Sequence, residues 1–143
     1  MQASRLPSWV SPLLGGLQTF IGVGALAGGL MLMLEPSGRG MGFPVELLQG
    51  SPFPDYRIPG VFLFTVNGLG SLVGAGLSFA RHRHAGEAAT LLGGILMAWI
   101  TIQVAIIGSL HWLHMLYFAL GFVELALGLV IRRSRDPLGR RPA

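Results

Sequence analysis

His111-Trp112-Leu113-His114-Met115-Leu116-Tyr117-Phe118-Ala119-Leu120-Gly121-Phe122-Val123-Glu124-Leu125-Ala126-Leu127-Gly128-Leu129-Val130-Ile131 is apolar except at a few positions and carries a single carboxylate, Glu124. Read as a helix in lipid, this stretch places that carboxylate about two turns from one end. An acid inside a membrane span costs roughly 2.5–3.5 kcal/mol or more, so it needs neighbours that hide it. Hydrocarbon opposes the charged form, and the neutral acid is the expected state. The rest of the chain reads as the scaffold that lets this helix sit in a bilayer.

Composition agrees. Of 143 residues, 52% are hydrophobic and only 11% are charged. A soluble domain carries about a quarter charged residues, enough to cover its surface; this chain is far short of that. Its 22 glycines suit membrane helices, where small residues let backbones approach. There is no cysteine, which removes thiol catalysis, disulfides, Fe–S clusters and Cys-ligated zinc. All ten basic residues are arginine, so Schiff-base and P-loop lysine chemistry are excluded too. No nucleotide-binding or hydrolase motif is present, and Gly68-Leu69-Gly70 lies inside an apolar run as packing.

Working outward, residues 12–34 form an apolar run of 23 residues; as a helix it reaches roughly 34 Å, enough to cross a bilayer core. Ser11 and Pro12 read as its cap and first helical residue. Ala25-Leu26-Ala27 resembles a signal-cleavage triplet, but the apolar run continues to Leu34 and is expected to be retained. Further spans are expected at 58–80, 85–109 and 111–131. The chain therefore predicts an all-α fold, one domain over 1–143: a four-transmembrane-helix bundle. A Pro/Gly-rich extracytoplasmic loop, 35–57, joins helices 1 and 2, and a basic tail runs from 132 to 143. Pro44 to Gly50 is expected to make one or two helical turns.

Arginine placement orients the bundle. Arg5, Arg81, Arg83, Arg132, Arg133, Arg135, Arg140 and Arg141 fall on one side; only Arg39 and Arg57 fall on the other. The positive-inside bias then puts both termini in the cytoplasm, as in a multi-pass protein of the bacterial inner membrane. Grouped at ends and a turn, these arginines read as topology signals rather than a nucleic-acid face.

Helical spacing sorts the small and polar residues onto faces. Gly15, Gln18, Gly22, Ala25 and Gly29 share one face of the first span. Gly60, Asn67, Ser71, Gly74 and Ser78 share one of the second, Gly86, Thr90, Gly93 and Met97 one of the third, and Tyr117, Gly121, Glu124 and Gly128 one of the fourth. Counting about 1.5 Å per residue puts Gln18 level with Glu124, and Asn67 level with Tyr117. A Gln18–Glu124 hydrogen bond and an Asn67–Tyr117 pair are the expectations. Gln103 lies off the stripe near the outer end and completes the intramembrane polar set.

Each candidate has a bland reading beside the sharp one. Glu124 is either a proton or cation relay or ligand anchor, or a neutral acid acting as interhelical glue. His111 and His114, three apart on one face, have the spacing of metal or haem ligands, but no third histidine or cysteine lies on that side and only Glu35, Glu46 and Asp55 could assist from the loop. Histidines holding backbone groups are the default. In the loop, Glu46, Asp55, Tyr56 and Arg57 are the polar groups; an Asp55–Arg57 or Arg57–Glu46 pair that orients the loop is preferred over catalysis. No catalytic residue, cofactor or resident metal is assigned.

Ser51-Pro52-Phe53-Pro54-Asp55-Tyr56-Arg57-Ile58-Pro59-Gly60 with Val66-Asn67-Gly68 resembles a segment of small, uncharacterised bacterial four-helix integral membrane proteins. Ile102-Gln103-Val104, His111-Trp112, Tyr117-Phe118 and Gly121 to Glu124 extend that resemblance. It covers most of the chain and implies their fold alone. The architecture is also loosely similar to the DoxX-like four-helix proteins, a fold-level likeness. The function expected is that of a non-enzymatic accessory subunit or small homo-oligomer, with the lipid bilayer and another membrane protein or a second copy as partners. The alternative is a carrier or binder of a small or hydrophobic solute, proton-linked through a polar cavity around Glu124.

Overall fold

The computed structural model describes residues 6–135. Four helices are long and apolar enough to cross a membrane: α1 (Val10–Leu34), α2 (Arg57–Phe79), α3 (Ala85–Ile107) and α4 (Trp112–Arg135). No strand occurs among the described residues. The expected spans hold within a few residues at each end, and the first four residues of the basic tail continue α4. Arg5, Arg140 and Arg141, used above for orientation, lie outside the described residues.

The start of α1 differs from the expectation. The helix begins at Val10 with Trp9 at the cap position and no side-chain cap. Ser11 and Pro12 sit within the first turn, where a missing N–H breaks no helical bond. The end of α3 follows the rule for helix stops. Gly108 adopts φ +70° and its N–H returns to the Val104 carbonyl, a left-handed stop that glycine enters without strain.

Packing is hairpin by hairpin. α3 lies most extensively on α4 and α1 on α2, while the two hairpins meet more sparsely, α2 against α3 and α1 against α4. Glycines set the close approaches. A Cβ on Gly93 would stand 2.6 Å from the Gly121 carbonyl, and one on Gly128 2.9 Å from the Gly86 carbonyl. In the other hairpin, a Cβ on Gly29 would stand 2.7 Å from the Gly60 carbonyl, and one on Gly22 3.1 Å from that of Gly68.

These pairs explain a feature that face assignment alone does not reveal. Gly22 and Gly29 are seven residues apart, but their partners Gly60 and Gly68 are eight apart. Between the partners, Leu63–Leu69 is a π-helix. A π-bulge absorbs one extra residue in an α-helix, so both glycines return to the face that meets α1.

The opposite faces carry Leu13, Phe20, Val23, Val73, Leu91 and Phe122, all exposed, as a lipid-facing surface requires. At one end the α2–α3 turn is strapped by arginines. Arg135 donates from Nη1 to the His82 carbonyl at 2.7 Å and from Nη2 to that of Arg81 at 3.0 Å, and Arg81 Nη2 donates to Ser8 O at 2.9 Å. At the other end the 35–56 segment folds over the bundle. Its short helix, Val45–Leu48, is a 3-10 turn with Pro44 at the cap. Leu32, Leu48 and Tyr56 form a buried cluster there, with Met41, Phe43 and Phe53 packed round it.

Candidate functional site

Glu124 is fully buried. It reaches Gln18 on α1, while Gly121 and Gly128, one turn either side, hold α4 against α3. Gln18 Nε2 donates to Glu124 Oε1 at 3.0 Å, and Ser78 Oγ donates to Gln18 Oε1 at 2.7 Å. The expected Gln18–Glu124 bond is present, extended to α2 by Ser78. The amide orients this chain: its NH₂ faces the acid and its carbonyl faces the hydroxyl. Glu124 Oε2 is buried without a partner among the described residues, and no arginine bonds it.

The expected Asn67–Tyr117 pair does not form. Asn67 is buried and its Nδ2 has no partner, while the Tyr117 hydroxyl lies against Gly24 on α1. Equal depth does not fix direction around a helix axis. Asn67 sits inside the π-turn, whose wider winding changes where each side chain points.

Tyr117 instead belongs to a cleft at the loop end of the bundle. Its volume is about 160 Å³, with all four helices and the loop in its wall. Met41 and Phe43 of the loop lie over it, and Gln103, His114 and Tyr117 supply its polar side chains. Gln103 makes no side-chain hydrogen bond among the described residues. Sequence reasoning flagged these three residues separately but not their convergence. The signal lay in the loop: it is long enough to fold Met41 and Phe43 back over the third and fourth spans. Neither Glu124 nor Gln18 lines the cleft that holds Tyr117.

The two histidine rings cap the start of α4 through their Nδ1 atoms. The Leu113 N–H donates to His111 Nδ1 at 3.3 Å, and the His111 N–H donates to His114 Nδ1 at 3.1 Å. As in one half of a capping box, the third helical residue, His114, reaches back to the N–H of the cap residue, His111, while the His111 ring takes the N–H of the second helical residue, Leu113. Both Nδ1 atoms are thereby committed to backbone. No group of three His, Cys, Asp or Glu with metal-binding geometry occurs among the described residues.

In the loop, Asp55 accepts from the Arg57 N–H at 2.8 Å. It thus caps α2, and neither the Asp55–Arg57 nor the Arg57–Glu46 ion pair forms; among the described residues the one ion pair joins His84 and Glu87. An aspartate two residues ahead reaches the backbone more readily than a long, solvated guanidinium. Tyr56 donates to the Pro44 carbonyl at 3.4 Å, and its N–H to that of Pro36 at 3.0 Å. Burial, then the nearby Glu46 carboxylate, pushes its phenol above the usual value of 10.0. The phenol therefore stays protonated through neutral and mildly alkaline pH, as the bond to Pro44 requires. Glu46 itself is exposed.

Compared with models of protein families, with curated proteins and with solved structures, the chain matches none.

Proposed function

We propose that this chain is a non-enzymatic, multi-pass membrane protein, acting as an accessory subunit of a larger complex or as a small homo-oligomer. The observation that carries this reading is the buried Ser78–Gln18–Glu124 chain of hydrogen bonds. A relay or ion site needs a path to its acid. Here the acid is fully buried, spends one oxygen on joining two hairpins, and lies outside the cleft that holds Tyr117. Glu124 acts as glue between helices. The arginine distribution supports a cytoplasmic placement of the 81–84 turn and of both termini, in a bacterial inner membrane.

The test is the mass of the particle extracted with its native lipid. Native mass spectrometry is expected to find either a multiple of 15.2 kDa or a companion chain in fixed stoichiometry. A lone 15.2 kDa chain at membrane concentrations overturns the proposal.

A second reading rests on a separate observation, the cleft beneath Met41 and Phe43. It supports a binder or carrier of a small hydrophobic solute, with its polar contacts at Gln103, His114 and Tyr117 instead of around Glu124.

A further inference from the structure

We infer that the cleft beneath the loop is a binding site for a ring-sized, uncharged lipophile bearing a hydroxyl or carbonyl oxygen. This rests on the second reading above and names its ligand class.

Size comes first. The cleft holds about 160 Å³, and an apolar cavity on the order of 150 Å³ accommodates one benzene-sized ring. Charge comes next. No arginine, aspartate or glutamate lines the cleft, so an ionised head group entering it would find no counter-ion and would lose its hydration. The wall is otherwise apolar, built from glycine, alanine, leucine, isoleucine, methionine and phenylalanine, as small-molecule sites are.

The polar groups then select oxygen. His114 is 5% exposed. Its Nδ1 accepts the His111 N–H at 3.1 Å, so the neutral ring must carry its proton on Nε2. No described group accepts from that N–H, which leaves it free to donate to an oxygen in the cleft. The Tyr117 hydroxyl and the Gln103 amide line the same cleft, and neither makes a side-chain hydrogen bond among the described residues. Both donate and accept. Three such groups in one apolar cleft would be left unsatisfied by a pure hydrocarbon. A hydroxyl or carbonyl oxygen on a ring satisfies the imidazole N–H and has a lone pair left for a second donor. The tyrosine is held in place from behind: any side chain at Gly24 would collide with its hydroxyl.

Phenol is the probe, with toluene as its apolar match. Each is dialysed to equilibrium against protein-loaded and empty lipid nanodiscs, so that partition into lipid is subtracted. Phenol is expected to show about one saturable equivalent per chain above the empty discs, and toluene a weaker one. His114→Phe and Gln103→Leu are each expected to weaken phenol by roughly tenfold, as the loss of a hydrogen bond to a desolvated group does. His114→Phe also removes a helix cap. If that variant fails to fold, Gln103→Leu decides, because Gln103 makes no side-chain hydrogen bond among the described residues. Toluene binding as tightly as phenol, or phenol binding unchanged in Gln103→Leu, overturns the oxygen-bearing class while leaving a binding cleft. No saturable excess of either probe overturns the class and the binder reading together.

Discussion

Glu124 and Gln18 exchange one hydrogen bond across the two hairpins, and its worth is set by what lipid offers in its place. Interhelical bonds in membranes contribute roughly 0.6–2 kcal/mol, because the separated helices also find partners. Gln18 donates its NH₂ to the acid, so an amide carbonyl at position 124 accepts as well as the acid does. Glu124→Gln is expected to change stability by less than about 1 kcal/mol. Glu124→Leu strands the Gln18 NH₂ and is expected to cost roughly 1–2 kcal/mol in equilibrium unfolding. Equal losses in both variants would contradict the glue role. This pair was legible in the sequence because depth follows from helix boundaries and both residues lie on small-residue faces. The Asn67–Tyr117 pair misled for the opposite reason: its geometry depends on a local change of helical winding that residue spacing does not announce. The histidine cap was half visible. The three-residue spacing of His111 and His114 was plain, but backbone donors at the helix start claimed one nitrogen, Nδ1, of each ring.

At the scale of the element, the glycine contacts divide positions that tolerate a methyl group from those that do not. A Cβ on Gly93 would meet the backbone of α4 at 2.6 Å, whereas one on Gly76 meets nothing within 4 Å. Backbone cannot step aside as a flexible side chain can, so Gly93→Ala must part α3 from α4. It is expected to lower stability by about 1–3 kcal/mol. Gly76→Ala, on the exposed side of α2, is expected to be neutral or to stabilise by up to about 1 kcal/mol through helix propensity. Thermal or denaturant unfolding of the two variants side by side checks both. The faces bearing these glycines were readable from 3.6-residue periodicity. The π-turn at Leu63–Leu69 was not, although its trace was there: eight residues separate two glycines whose partners are seven apart.

For the molecule as a whole, the number and order of the helices were legible because lipid demands long apolar runs and turns interrupt them plainly. The cleft was not, because it depends on where a 22-residue loop, 35–56, lays two side chains between the two helices of the first hairpin. Orientation rests on charge asymmetry, and the absence of cysteine makes it directly measurable. Single cysteines replacing Ser51 in the loop and Arg83 in the turn are expected to label from opposite sides of intact cells. Only Ser51→Cys should react with an impermeant maleimide before lysis; the reverse pattern would invert the topology.

The sparse seam between the tightly zipped halves also bears on how the molecule is made. Each half can enter the bilayer as a finished pair of helices, but Gln18 and Ser78 belong to the first pair and Glu124 to the second. Until the pairs meet, the acid waits in hydrocarbon unaided. An unassembled chain therefore differs from a finished one by a carboxyl group that has not yet met Gln18.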